Sequence, residues 1–262
     1  MNIYVSTNMF KVNQLEEVFN ILENISYENV GIELFTEFHD DEFMYVVNRN
    51  MNKLKKYKVS IHGPYYNTEH SAEKGSDKYN KSKEYFINAL ELSKELNSPY
   101  IVFHHNNCRI NDKEVMINNS KENLEELKEL AKGYNANVII ENAGIISSNN
   151  MLFNQEEFIQ ICKENDCGVL IDIGHAFANG WDLEYVIKEL KNKIISYHLH
   201  NNDGKNDSHD SICYGSFNID EFVEMYNKYT NKADLVLEYN KEYRDKINIL
   251  IEDIDYIKSR IK

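Results

Sequence analysis

A short apolar segment followed by a longer amphipathic stretch recurs eight times along the chain, and this repeat constrains the fold more than any other feature. Each segment is a short apolar run that ends at a polar turn, which is typical of a buried strand. The predicted strands span 2–6, 30–35, 58–63, 100–105, 138–143, 168–173, 194–201 and 233–240.

The stretches between the strands predict helices. Apolar residues recur every three or four positions most clearly over 81–97 and 120–135, and again over 246–262 after the last strand. Alternating strands and helices favour parallel pairing through right-handed crossovers. Eight such units in 262 residues predict an α/β fold, a (β/α)8 TIM barrel that forms one domain over residues 1–262. An open doubly wound sheet is the alternative, since the sequence does not show closure.

Polar residues suited to chemistry follow most of the predicted strands. In a barrel of this kind the active site lies at the carboxyl ends of the strands. A single His or Asp there usually has a structural role, but at least six strands end in such residues. These residues are Glu33, His62, His104, His105, Glu141, Asn142, Asp172, His175, His198, His200, Asp203, Asp207, His209 and Glu238.

Imidazole and carboxylate groups that converge on one pocket indicate a divalent-metal site, for which zinc or manganese is suited. A cation would also offset buried carboxylates such as Asp172, which otherwise repel one another. His104 and His105 point to opposite sides of their strand, so at most one of them faces the barrel interior. His198 and His200 share a face, and Asp207 and His209 lie on the loop beyond them.

The motifs around these residues resemble one known superfamily, the xylose isomerase-like barrels, which include sugar isomerases and epimerases and the endonuclease IV enzymes. The resemblance runs through VSIHGPY, VFHH, IIENAG, LIDIGHAFANGWD, HLHNNDGKNDSH and LVLEYN, with VGIELF upstream. It covers most of the chain after about residue 58.

The endonuclease IV branch implies nine ligands for three zinc ions, and a water activated by these metals would attack a phosphodiester. DNA is an expected partner only under this alternative. The matching positions are His62, His104, Glu141, Asp172, His175, His200, Asp207, His209 and Glu238.

The isomerase and epimerase branch implies a single divalent ion, often manganese, held by Glu141, Asp172, His200 and Glu238. The two glutamates would lie on opposite faces of a sugar and exchange a proton with the carbon beside its carbonyl, while His175 orients substrate oxygens. We prefer this branch because the stretch from His200 to the last histidine of the loop is short and no basic loop follows a strand end. Between the branches, the expected number of metal ions is one to three.

Four further residues are candidate substrate contacts under this resemblance: Glu33, Tyr65, Asn142 and Trp181. Other aromatic residues near the motifs, which could line a sugar-binding wall, are Tyr66, Phe177 and Tyr214. The run CYGSFN departs from the relatives, because Cys213 replaces a glycine that they commonly have. A third hypothesis, a non-catalytic barrel that binds a sugar or metal, is disfavoured because both potential acid/base glutamates remain in place.

Charge and composition limit the kinds of partner that we expect this chain to bind. The formal net charge of −14 disfavours nucleic acid and anionic membranes. No apolar run of 18 residues and no signal peptide is present, so we expect a cytoplasmic protein without a membrane partner. The four cysteines have no CxxC spacing and are expected to be reduced. By resemblance to other barrels, a homodimer is one expected assembly.

Overall fold

Eight parallel strands form a closed barrel in the computed structural model, which describes residues 1–262. Strand β2 spans the predicted segment, and the other strands are shorter than predicted, in most cases because the last predicted residues turn away into loops. Their bounds are β1 Ile3–Ser6, β2 Val30–Phe35, β3 Val59–His62, β4 Ile101–Phe103, β5 Val138–Glu141, β6 Gly168–Asp172, β7 Ile194–Leu199 and β8 Asp234–Leu237.

The barrel closes because β1 pairs with β8 as well as with β2. Ile3 lies opposite Leu235, and Val5 lies opposite Leu237. The predicted barrel is therefore confirmed, and the open doubly wound sheet is wrong.

Nine α-helices surround the barrel, and none of them is long and apolar enough to cross a membrane. The helices predicted over 81–97 and 120–135 begin several residues earlier, because Ser76 and Asp112 accept hydrogen bonds from the backbone at their first turns. The helices are α1 Glu17–Glu23, α2 Phe43–Leu54, α3 Asp77–Leu96, α4 Lys113–Tyr134, α5 Gln155–Glu164, α6 Ile173–Ala178, α7 Leu183–Leu190, α8 Ile219–Tyr229 and α9 Ile247–Arg260.

Two separate groups of buried apolar side chains follow from the alternation of side chains along each strand. The larger group packs between the strands and the helices and includes Ile101 and Phe103 of β4. The smaller group fills the barrel interior and includes Tyr100 and Val102 of the same strand. The next residue in this alternation that points inwards is His104. The inward-facing side of β4 therefore continues into the mouth of the barrel.

Candidate metal centre

The nine predicted ligands converge at the carboxyl ends of the strands. His175, His200, Asp207 and His209 form one group in which the possible ligand atoms all lie within 4.8 Å of one another. Further groups at the same spacing are His62 with His104 and Glu141, Glu141 with Asp172 and His175, and Glu238 with Glu33 and His198. No protein segment separates these groups, because they share residues or hydrogen bonds.

Asp172 organises the centre from the end of β6. Its Oδ1 atom accepts a hydrogen bond from the backbone N–H of His175 at 2.7 Å and so caps α6. Its Oδ2 atom lies 3.0 Å from Nε2 of His200. One carboxylate therefore starts the short helix that carries His175 and also contacts a histidine from the next strand.

His200 fits beside Asp172 only because residue 174 is glycine. A Cβ atom at Gly174 would lie 2.1 Å from Cε1 and 2.4 Å from Nδ1 of the His200 ring. Such distances are far inside van der Waals contact, so the close approach of strand β7 to the start of α6 requires this glycine.

Three histidines use one ring nitrogen to bond protein oxygen and turn the other towards the centre. The Nδ1 atoms of His62 and His209 lie 2.8 and 2.9 Å from the backbone oxygens of Gly63 and Glu238, respectively. The Nδ1 atom of His104 lies 3.2 Å from Oδ1 of Asn107. Because these oxygens only accept hydrogen bonds, each Nδ1 donates, and each Nε2 is left as a lone pair for a cation whenever the ring is neutral.

Asp172, Glu141 and Glu238 are buried carboxylates, whereas Asp207 is exposed on the loop after β7. Burial opposes ionisation of Asp172, but the charges of His175 and His200 lower its pKa to about 2. The same balance lowers the pKa of Glu141, Asp207 and Glu238 through neighbouring histidines.

Among the histidines of the centre, burial lowers the pKa of one and neighbouring carboxylates raise the pKa of three. Burial lowers the pKa of His62 to about 4, with the charge of His104 acting in the same direction. Burial also opposes protonation of His209, but Asp207 raises the pKa of His209 to about 10. The pKa values of His175 and His198 are raised well above 6.5 by adjacent carboxylates, against the effect of burial.

This donor set fits a divalent cation. The Nδ1 atoms of His175, His198 and His200 are buried and have no hydrogen-bond partner, and those of His175 and His198 lie within 3.2–3.8 Å of carboxylate oxygens. Among the residues that line the cavity above the centre, no lysine or arginine balances the carboxylates. Nitrogen and carboxylate oxygen donors without a lysine or arginine to balance them are the chemistry that zinc and manganese bind.

A cavity of about 210 Å³ opens above the centre. Phe35 stacks on the His62 ring with centroids 4.4 Å apart, and Tyr65 packs edge-on against His104 at 5.6 Å. The amide side chains of Asn8 and Asn106 also line the cavity. The walls therefore combine aromatic faces with neutral hydrogen-bonding groups.

The predicted substrate contacts do not all lie at this cavity. Tyr65 and Tyr66 line it. The side chain of Asn142 instead bonds both backbone groups of Asp172, at 2.9 Å and 2.7 Å, and so ties β5 to β6. Glu33 is completely buried and lies 2.9 Å from His198 through Oε1.

Trp181, one of the predicted substrate contacts, does not line the cavity above the centre. It packs against Phe158 with ring centroids 5.7 Å apart and lines a separate surface groove together with Phe177. The reason is that the turn after α6 leads away from the barrel mouth towards α7, which carries Trp181 outwards. Tyr214 is 60% exposed and also lies outside the cavity.

Several contributors to the site were missed in the sequence. Asn107 orients His104, Phe35 supports His62, and Asn8 and Asn106 line the cavity, but none of them carries a recognisable signal. His198 is different, because the sequence already places it at a strand end on the same face as His200, although it belongs to neither predicted set of ligands.

Comparisons with known proteins agree with the barrel fold. A family model described as "Xylose isomerase-like TIM barrel" matches residues 30–260. A relative named "Probable endonuclease 4" from Sulfurihydrogenibium sp. (strain YO3AOP1) is 27% identical over 236 residues, which cover 82% of this chain and 82% of the relative.

Two solved structures are similar over the whole chain. A "D-tagatose 3-epimerase-like protein" has a TM-score of 0.78 and 20% identity, with 100% of both chains covered. The "IOLI protein with a binding zinc atom" has a TM-score of 0.79 and 17% identity, with 100% of this chain and 99% of the other covered. At these identities the two structures show the shared fold.

Proposed function

Since the chain belongs to the xylose isomerase-like TIM barrel family, we propose that it is a divalent-metal-dependent isomerase or epimerase of a sugar or sugar phosphate. The observation that carries this proposal is a pair of buried glutamates, Glu141 and Glu238, that face one cavity from β5 and β8. Between them, from β6 and β7, stand Asp172 and His200.

These four residues would hold the catalytic cation. When bound, a divalent cation would polarise the substrate carbonyl and stabilise the negative charge that develops on its oxygen. The two glutamates then serve as proton carriers. One removes a proton from the carbon beside the carbonyl, and the protonated form of the other returns a proton to the resulting enediolate.

The lining of the cavity favours a neutral sugar over a phosphate ester. No lysine or arginine lines it, whereas phosphate is normally bound by cationic side chains or backbone N–H groups. Tyr65, Tyr66 and Phe35 supply apolar faces for the sugar ring, and the Asn8 and Asn106 amides can bond hydroxyl groups. We therefore expect a free ketose to be a better substrate than its phosphate.

A second candidate function is a zinc phosphodiesterase of the endonuclease IV kind. It is favoured by the group of His175, His200, Asp207 and His209, which a single-ion isomerase does not need. The relative named "Probable endonuclease 4" is in line with it. It is disfavoured by the lack of a lysine or arginine along the cavity and by the net charge of −14.

The first test is proton exchange between substrate and solvent. The metal-loaded protein is incubated in D2O with a panel of ketopentoses, ketohexoses and their phosphates, and deuterium incorporation next to the carbonyl is followed by NMR. We predict incorporation into at least one ketose, and a loss of about a hundredfold or more in Glu238→Gln, in line with the usual contribution of a general acid or base.

Asp253→Asn is the matched control, since Asp253 is a buried carboxylate bonded to Ser211 and Tyr239 away from the cavity. It should keep the activity of the wild type. Cleavage of abasic-site DNA without any exchange would replace the isomerase proposal with the phosphodiesterase. Full exchange activity in Glu238→Gln would exclude the two-glutamate mechanism.

A further inference from the structure

His198 lies at the bottom of the metal centre, on the inward face of β7 and two residues before His200. Its side chain is fully buried, and its Nε2 atom lies 2.9 Å from Oε1 of Glu33 on β2, across the barrel interior. The other oxygen of Glu33 accepts a hydrogen bond from Ser60 at 3.4 Å. The imidazole plane also stacks on the His62 ring, with centroids 5.7 Å apart and 13° between the planes.

These contacts fix the direction of the remaining nitrogen. Nδ1 of His198 lies 3.2 Å from Glu238 Oε2, 3.5 Å from Glu141 Oε2 and 3.8 Å from Asp172 Oδ2. Although the nearest oxygen is within hydrogen-bonding distance, Nδ1 has no partner in hydrogen-bond geometry. Nδ1 therefore lies close to all three carboxylates and is aligned for a hydrogen bond with none of them.

We propose that His198 is a direct ligand, through Nδ1, of the cation held by Glu141, Asp172, His200 and Glu238, and that Glu33 fixes it in this role. The inference rests on the metal-binding part of the proposed function and extends it to a fifth protein ligand. It does not depend on which substrate the cation serves.

The spacing of the donor atoms supports direct ligation. Two ligands that each lie ~2.1 Å from one cation are separated by about 3.0 Å at a right angle and by about 3.8 Å at an angle of 130°. The three distances from Nδ1 to the carboxylate oxygens fall inside this range. A cation between them would give Nδ1 of His198 the partner that it lacks.

Glu33 contacts the other ring nitrogen of His198, Nε2. Histidine ligands commonly donate their second N–H group to a carboxylate, which fixes the tautomer and makes the ligating nitrogen more basic. Glu33 accepts from Nε2 in this way, so Nδ1 is the nitrogen left for the cation. His62, His104 and His209 have the opposite arrangement, with Nδ1 bonded to protein oxygen and Nε2 turned to the centre.

Two substitutions separate ligation from packing. His198→Gln can keep a hydrogen-bonding group near the position of Nε2, and so keep the contact with Glu33, but it removes the donor at Nδ1. His198→Asn has the opposite effect, because its amide lies near the position of Nδ1 and does not reach Glu33. His105→Gln is the matched control, since His105 is equally buried with a partnerless Nε2 but bonds Ser120 in the helical layer.

The probe is Co²⁺ alone, titrated into metal-free protein against a chromophoric chelator while the visible ligand-field spectrum is recorded. We expect His198→Gln to weaken the tightest Co²⁺ site by about 10- to 100-fold and to change its spectrum. His198→Asn should recover part of the affinity, Glu33→Gln should lose less than His198→Gln, and His105→Gln should match the wild type. A folded His198→Gln protein with wild-type affinity and spectrum would overturn the proposal.

A crystal structure of the zinc-loaded wild type decides the question if the variants do not fold. An anomalous zinc peak within about 2.3 Å of Nδ1 supports ligation, whereas a distance above 3 Å overturns it. Neither measurement uses a substrate. A protein that binds Co²⁺ through His198 but exchanges no sugar proton would thus refute the isomerase proposal and leave this one standing.

Discussion

At the scale of single residues, the centre depends on contacts that the sequence does not reveal. The motif DIGH gives the candidate ligands Asp172 and His175, but the need for Gly174 appears only when the His200 ring is seen against it. The strand ends indicated where the polar residues would gather, and the nine converging positions followed from the resemblance to the endonuclease IV enzymes. Which nitrogen of each ring faces the centre could not be predicted, because that depends on backbone oxygens and on partners from other strands.

The contact between Gly174 and His200 leads to the first residue-scale prediction. In Gly174→Ala the added Cβ would overlap the His200 ring, so the ring must move and its distance to Asp172 must grow. We expect metal affinity to fall by about 10- to 100-fold, as when a metal-site support is lost. Isothermal titration of zinc into the metal-free protein measures the change.

Gly133→Ala serves as its control, because Gly133 lies in α4 with open space around its Cα atom. Alanine there should leave metal affinity unchanged and raise stability by up to about 1 kcal/mol, since glycine is a poor helix former. Equal zinc affinity in Gly174→Ala and the wild type would mean that His200 does not contribute to binding.

A second prediction concerns the number of protons that the histidines release when a metal binds. Asp207 raises the pKa of His209 to about 10, against the effect of burial, and His175 and His198 are also raised, so these rings carry protons at pH 7 in the metal-free protein. A ligating histidine must be neutral, so metal binding at pH 7 should release protons. Calorimetric titration in buffers with different ionisation enthalpies counts them, and His209→Gln should release about one fewer.

The raised pKa of His209 also determines how the stability of the metal-free protein changes with pH. In the metal-free protein the raised pKa of His209 contributes stability that is complete below its ordinary value of 6.5 and is lost as the pH rises through about 10. Metal binding without any proton release would show that the histidines are neutral beforehand and would contradict the ionisation described for this centre.

At the scale of elements, the strand ends were the most predictable part of the molecule. Alternation along β4 correctly separates His104, which faces the centre, from His105, which faces the helices and bonds Ser120. Loops were less predictable. Trp181 follows a strand-end motif in sequence, yet the turn after α6 carries it to another surface, and no local pattern encodes the path of that turn.

The loop after β7 gives the element-scale prediction. It folds back over the centre through paired backbone hydrogen bonds between Asn201 and Asp210, and it brings Asp207 to 3.2 Å from both His175 and His209. If a second cation is held by His175, His200, Asp207 and His209, the double variant Asp207→Asn/His209→Gln should lose it or bind it about 10- to 100-fold more weakly. Co²⁺ titration should still detect the cation held by Asp172 and its neighbours.

Lys205→Ala, a change at an exposed position of the same loop, is the control and should bind as the wild type does. Sugar exchange that survives in the double variant would favour the single-ion isomerase. If the double variant lost the central cation as well, the two groups of ligands would be one coupled site.

At the scale of the whole molecule, closure of the barrel brings ligands from distant parts of the sequence together. The family suggested by the sequence motifs is confirmed by the match over residues 30–260. The number of strand and helix units predicted the architecture. Closure itself could not be read from the sequence, because it depends on the pairing of β1 with β8, which are more than 200 residues apart.

The distribution of charge over the whole molecule also supports a metal centre. The mouth of the barrel collects buried carboxylates in a chain of net charge −14, and the lining of its cavity contributes no lysine or arginine. Buried carboxylates require compensating charge. Protonated histidines supply it in the metal-free protein, and cations would supply it in the loaded one.

The most direct test is the metal content of protein purified without chelators or a nickel column, measured by mass spectrometry on the wild type and on an Asp172→Asn/His200→Gln variant. We predict at least one zinc, manganese or cobalt ion per chain in the wild type, and its loss in the variant. One ion would support proton transfer on a sugar, and about three would support the phosphodiesterase. A wild type that binds no divalent metal, even after incubation with zinc or manganese, would contradict the account.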